Sequence, residues 1–152
     1  LAFLPERPSA TGIGIDASAQ ALAVAQRNSA ALGLAQRAQF REASWLDSGW
    51  ADALGRFDLV LCNPPYVEAD AELEPDVRDF EPASALFAGH AGLDDYRVII
   101  PQLVQLLLPG GVAVLEIGAT QDAAVSALAR ESGFAVTLQR DLAGRPRVLV
   151  LR

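Results

Sequence analysis

The sequence predicts an α/β protein with a doubly wound, mostly parallel sheet that closes in an antiparallel strand pair. Three observations carry this expectation. Short apolar runs with strand-like composition alternate with helix-period stretches from residue 11 to residue 133. Two of the runs stop abruptly, one in Asp16 and one in Asn63-Pro64-Pro65-Tyr66, as strands do at the carboxyl edge of a parallel sheet. The last two runs, 134–139 and 147–151, flank the turn Ala143-Gly144-Arg145-Pro146 and read as an antiparallel pair.

Taken in order, Pro5 to Ser9 reads as a loop after the tail of a helix. Thr11 to Asp16 alternates small and apolar residues and is expected to be a strand. Ser18 is placed to cap a helix that runs to about Leu32 and ends at Gly33. Ala38 to Trp45 is expected as the next strand, Trp50 to Leu54 as a short helix, and Phe57 to Cys62 as a buried strand. Val67 to Gly92 is rich in Pro, Asp and Glu and reads as a long functional or mobile loop. Leu93 to Leu108 has the pattern of an amphipathic helix interrupted by Pro101. Pro109-Gly110-Gly111 reads as a turn, Val112 to Ile117 as a buried strand, and Thr120 to Glu131 as a helix ended by Gly133.

The composition narrows the possible functions. A chain of 152 residues that is 51% hydrophobic and 20% charged has the size and balance of one domain, residues 1–152, with a continuous core. It contains no apolar run of the roughly 18 residues a membrane span requires. The opening Leu-Ala-Phe-Leu lacks the basic flank of a secretory signal. A single cysteine, Cys62, and a single histidine, His90, leave no material for a disulfide framework, a cysteine- or histidine-based metal site, or a serine triad. A net charge of −7 argues against a broad phosphate-binding surface, so a protein or small-molecule substrate is favoured over nucleic acid.

The residues Asn63-Pro64-Pro65-Tyr66 suit one chemical task, holding a planar NH2 group. The lone pair of such a nitrogen is delocalised. It becomes nucleophilic only when acceptors take its hydrogens and stabilise the charge that develops on it. The Asn63 side-chain oxygen can take one hydrogen. Pro65 forces Pro64 into an extended conformation, which can aim the Pro64 carbonyl at the other. The Tyr66 ring can wall the site and face a cationic methyl donor, a contact worth roughly 0.5–2 kcal/mol. The plainer alternative is a strand followed by a Pro-Pro turn and a surface tyrosine.

Gly12-Ile13-Gly14-Ile15-Asp16-Ala17 fits a dinucleotide fingerprint in letters only, because its glycines lie inside the strand instead of opening a helix. Asp16 is the better feature. At a strand tip its carboxylate can accept both hydroxyls of a ribose, or it can simply start the turn into the helix.

The series GIGID, SWLD, FDLVLCNPPY, PDVRDFEPASALFAGHAGLDDYR and PGGVAVLEIG resembles the HemK-like release-factor glutamine methyltransferases over essentially the whole chain. The NPPY tetrapeptide is shared with amino-methyltransferases of DNA, RNA and protein. The RDFEP and ALFAG stretch is more specific to the glutamine enzymes. The resemblance implies a class I, Rossmann-like methyltransferase fold, a cytoplasmic location, and S-adenosylmethionine as donor. It further implies a glutamine amide as acceptor, in the GGQ loop of a peptide-chain release factor. Under it Asp16 binds the ribose and Trp45 lies beside the adenine. Asn63 and the Pro64 carbonyl hold the amide nitrogen, and Pro65 and Tyr66 complete the acceptor edge.

Two departures from the family pattern stand out. Ser44 occupies the position where the family has an acidic residue before the tryptophan, and Asp47 can replace that group only if the loop bends back. The family's first strand, its glycine-rich loop and the upstream helical domain have no counterpart here, so the strands of Asp16 and Asn63 are each expected to leave one edge unpaired, and the chain by itself to be inactive. An adenine or cytosine amino-methyltransferase and a non-catalytic binding module are the rival readings. Asp76, Arg78, Asp79 and Glu81 are candidates for an ion-pair cluster near the site, or for an ordinary solvated loop. Glu116 is expected either to face the site or to cap the following helix.

Overall fold

A computed structural model describes residues 1–152, which form two compact units, Leu1–Leu54 and Gly55–Arg152. The elements come in the expected wound order but fall into two sheets.

In the first unit a short helix α1 (Phe3–Glu6) precedes strand β1 (Gly12–Asp16), helix α2 (Ala19–Ala31) and strand β2 (Ala38–Glu42). Ser18 caps α2 as its position suggests, its side chain accepting the Ala21 N–H at 3.2 Å. Gly33 ends the helix in the left-handed region, φ 69°. β1 and β2 are parallel and in register from Gly12 with Ala38 to Asp16 with Glu42. The Arg37 guanidinium fastens the amino-terminal segment by donating to the carbonyls of Leu4, Arg7 and Ala10 at 3.0–3.1 Å. The expected strand to Trp45 stops at Glu42, and Trp50 to Leu54 forms consecutive turns instead of a helix. Gly49 at φ 73° and Gly55 at φ 85° bound the segment, leaving five residues between two left-handed turns.

The second unit carries strand β3 (Phe57–Cys62), helix α3 (Pro75–Phe80), a 3₁₀ turn at Ala83–Ala85, helix α4 (Asp94–Leu106) and strand β4 (Leu107–Glu116). Helix α5 (Asp122–Glu131), strand β5 (Val136–Arg140) and strand β6 (Pro146–Leu151) complete it. The sheet order is β3-β4-β6-β5, with β3 and β4 parallel and the other pairs antiparallel. As expected, the Asp16 and Asn63 strands each pair on one side only, β1 with β2 and β3 with β4.

The core of this unit is a helical stripe against a sheet face. Tyr96, Ile99, Ile100, Leu103 and Leu106 recur at helical spacing on α4 and are buried, as are Ala113, Leu115, Val125, Ala129, Leu149 and Leu151. This stripe explains why α4 continues through Pro101. A mid-helix proline costs about 3 kcal/mol, and each large buried side chain contributes about 1.5–3 kcal/mol, so the face outweighs the lost hydrogen bond.

Two further expectations change here. The long connection after β3 is not structureless, since α3 begins with Pro75 in its first turn and the 3₁₀ turn follows. Pro109-Gly110-Gly111 is a bulge within β4 and not a turn before it. Leu107 already pairs with Phe57 and Val112 with Leu59, so the extra residues loop out through Gly110 at φ 81°.

Candidate functional site

In the first unit Asp16 is exposed at the carboxyl end of β1. Its Oδ1 accepts the Ser18 N–H at 2.8 Å, which turns the carboxylate over the start of α2. The Ala43 N–H donates to the Asp16 carbonyl at 3.1 Å, tying the strand end to the segment that leads to Trp45. Trp45 is half-buried in the turn after β2. The chain bends there, with the Asp47 N–H on the Ser44 carbonyl at 3.0 Å and the Leu46 N–H on the Ser44 hydroxyl at 3.2 Å, but Asp47 itself is exposed.

In the second unit Asn63 follows β3 directly and is exposed, while Pro64 and Pro65 are buried. No hydrogen bond within the unit engages the Asn63 side-chain amide or the Pro64 carbonyl. Tyr66 is pinned at its tip and at its backbone. Its hydroxyl donates to Glu116 Oε1 at 3.2 Å and accepts from Arg147 Nη1 at 3.4 Å, and its carbonyl accepts from Gln121 Nε2 at 2.9 Å. Arg147 also pairs with Glu116 at 3.6 Å and lies 4.0 Å from Asp141. Glu116 therefore faces Tyr66 and does not cap α5, whose capping position is Gln121.

One residue further on, the chain is laced to the ALFAG stretch. The Val67 N–H donates to the Leu86 carbonyl at 2.8 Å, and the Ala88 N–H returns to the Val67 carbonyl at 2.9 Å. Gly92, at φ 62°, passes so close that a Cβ there would collide with the Tyr66 carbonyl oxygen.

The electrostatics beneath this edge favour neutral groups. Burial raises the pKa of the Tyr66 hydroxyl, with the charge of Glu116 adding to the rise and Arg147 opposing it. Burial and the nearby charge of Asp95 push the Cys62 thiol up to about 12. Cys62 is thus an inert packing residue on β3, as its type suggests. Burial likewise holds the hydroxyl of Tyr96 protonated, and it donates to the Glu116 carbonyl at 2.7 Å.

The ion-pair cluster on α3 does not form as a cluster. Arg78 meets only its neighbour Asp79, at 2.9 Å on an exposed surface, and Asp76 and Glu81 join no ion pair. Sequence reasoning missed Gln121, Arg147 and Tyr96. Arg147 left a trace, because it shares the inward alternation of β6 with Leu149 and Leu151, an odd place for a cation. No grouping of His, Cys, Asp and Glu is arranged to hold a metal ion.

The fold recurs in known proteins. A methyltransferase from Pyrococcus furiosus superposes with a TM-score of 0.70 at 12% identity, over 99% of this chain and 66% of its own. The ribosomal protein L11 methylase from Lactobacillus delbrueckii does so with a TM-score of 0.63 at 22% identity, over 93% of this chain and 57% of its own. Such identities speak to the fold, which is the class I methyltransferase arrangement. Among curated relatives, the release factor glutamine methyltransferase of Cereibacter sphaeroides is 47% identical over 99% of this chain and 54% of its own length. That of Caulobacter vibrioides is 44% identical over 99% of this chain and 52% of its own. The chain spans about half the length of these relatives. The model of the methyltransferase domain family matches residues 2–132, running through Asp16, the Asn63–Tyr66 edge and Glu116 alike, and the chain belongs to that family.

Proposed function

We propose that residues 1–152 act as the methyltransferase domain of an enzyme that methylates the side-chain amide nitrogen of a glutamine, in the GGQ loop of a peptide-chain release factor. S-adenosylmethionine is the donor, and when bound it supplies an electrophilic methyl on a sulfonium. The amide nitrogen gains that methyl and loses one of its two protons.

The observation that carries this reading is the Asn63–Tyr66 edge, where two acceptors that no group of their unit engages sit on a backbone held rigid by two buried prolines and an anchored tyrosine. Preorganised acceptors of this kind stabilise charge on the nitrogen without reorganising during the reaction. The donor residues fit as well. Asp16 is exposed at its strand end with Oδ1 turned to the Ser18 N–H, a placement that suits ribose hydroxyls, and Trp45 carries a half-buried ring in the following turn. The relatives named release factor glutamine methyltransferase support the choice of acceptor, and the net charge of −7 disfavours nucleic acid.

The test is a transfer assay with the full-length protein, methyl-labelled S-adenosylmethionine and a release factor. Label should appear on the wild-type factor and be absent when its GGQ glutamine is alanine. Label on RNA or DNA, with none on the release factor, would overturn the reading.

A further inference from the structure

Gln121 stands at the capping position of α5, yet its side chain makes no cap. It reaches away from its own helix. Nε2 donates to the Tyr66 carbonyl at 2.9 Å and to the Gly92 carbonyl at 3.2 Å, with the Ala91 carbonyl at 3.4 Å, and Oε1 accepts the Gly118 N–H at 3.1 Å. The residue is only 7% exposed. A primary amide has two hydrogens and an acceptor oxygen, so this environment uses every group the side chain owns.

The backbone is shaped around it. A Cβ on Gly92 would meet Nε2, and one on Gly118 would lie 2.8 Å from Oε1. Two glycines thus give way where a glutamine amide passes, and a shorter, purely acceptor or purely apolar side chain would leave buried carbonyls unpaired.

We propose that Gln121 is the positioning residue of the acceptor edge, fixing the Tyr66 carbonyl and through it the direction of the Asn63 amide and the Pro64 carbonyl. The transmission is mechanical. Only Pro64 and Pro65 separate Tyr66 from Asn63, and their rings hold φ near −65°, so few torsions remain to absorb a shift. The Tyr66 hydroxyl is held by Glu116, and the peptide after Tyr66 is gripped on both sides, its Val67 N–H by the Leu86 carbonyl and its Tyr66 carbonyl by Gln121, so Gln121 fixes the carbonyl side of that plane. The role rests on the proposed methyl transfer, in which a displacement of about 1 Å can cost up to about a hundredfold in rate.

The test uses Gln121→Glu in the full-length protein. A neutral carboxylic acid can donate to the Tyr66 carbonyl and accept from Gly118, whereas an ionised one presents only acceptors to three carbonyls. Turnover on the glutamine substrate at pH 8 should fall roughly tenfold to a hundredfold, with donor affinity within twofold. The deficit relative to wild type should shrink as pH is lowered towards 5. Gln121→Met, which cannot donate at any pH, should show the deficit throughout.

Amide exchange gives a readout independent of activity. In Gln121→Glu at pH 8 the Val67 and Ala88 amides should exchange about tenfold faster, while those of β6 stay unchanged. Turnover within twofold of wild type at every pH would overturn the proposal, as would a loss matched by equal loss of donor affinity. An inactive wild type would sink the proposed function instead. The exchange rates then decide, unchanged protection overturning the proposal and faster exchange at those two amides supporting it.

Discussion

The Tyr66 hydroxyl and the Glu116 carboxylate, fifty residues apart in the chain, meet at 3.2 Å and join the end of β3 to the end of β4. Arg147 shares both partners, so removing the hydroxyl leaves an ion pair and no orphaned charge. Tyr66→Phe should therefore cost only about 0.5–1.5 kcal/mol in urea unfolding, and it keeps the ring. Turnover should stay within about fivefold, whereas Tyr66→Ala should drop it by more than tenfold. Equal activity for the two variants would mean that the ring contributes nothing to the site.

Asn63 offers the exposed member of the acceptor pair. Asn63→Ala should lower turnover by about 10²-fold, the scale for losing one preorganised polar contact, with donor affinity nearly unchanged. Single-turnover rates and donor titration separate the two effects. A rate within twofold of wild type removes Asn63 from the chemistry.

On the first unit, Asp16→Ala should weaken S-adenosylmethionine binding by roughly 1.5–3 kcal/mol, the range for hydrogen bonds to a charged group. Calorimetric titration reads this directly. Unaltered affinity would reduce Asp16 to the turn-forming role that its contact with Ser18 already shows.

Gly92 combines a left-handed φ of 62° with a neighbouring carbonyl that leaves no room for a methyl. Gly92→Ala should destabilise the protein by about 2 kcal/mol or more, since conformational strain and steric displacement add. A melting temperature unchanged within a degree would show that the 89–92 turn does not press on Tyr66.

Alkaline stability follows from Cys62. Above pH 9 the unfolded chain releases its thiol proton while the folded chain retains it until about 12. The unfolded state then binds fewer protons, and the stabilisation carried by the neutral buried thiol, complete below pH 9, is lost as pH rises towards 12. The raised hydroxyls of Tyr66 and Tyr96 act in the same direction at higher pH. Urea midpoints should decline across this window, less steeply in Cys62→Ala. Native Cys62 should also alkylate at pH 8 at least about a hundredfold more slowly than in unfolded chain, because the thiolate is the nucleophile. Equal alkylation rates would contradict the burial of this group.

Much of this was legible locally. The strand Phe57–Cys62, the Ser18 cap and the Gly33 stop each depend on neighbours in sequence, and each formed where the residues indicated. Helix α3 was missed because its apolar positions are too few to show a period, although Pro75 and Asp76 carry the composition of a first turn. The Pro109–Gly111 stretch was misjudged because its fate is decided by a strand fifty residues earlier, where Phe57 recruits Leu107. Gln121 and Arg147 gained meaning only from contacts 55 and 81 residues away. Residue types that bear chemistry can be read from the chain, but those that hold them in place are set by the fold.

The ladder between Val67 and residues 86–88 seals the base of the segment that contains α3. The entropy of closing such a loop grows only slowly with its length. Residues 69–72 are exposed at its rim, so a protease cut there would leave both fragments fastened to the body. Changes of length at that rim should therefore cost little in stability, while the ladder keeps its hold on the edge beneath.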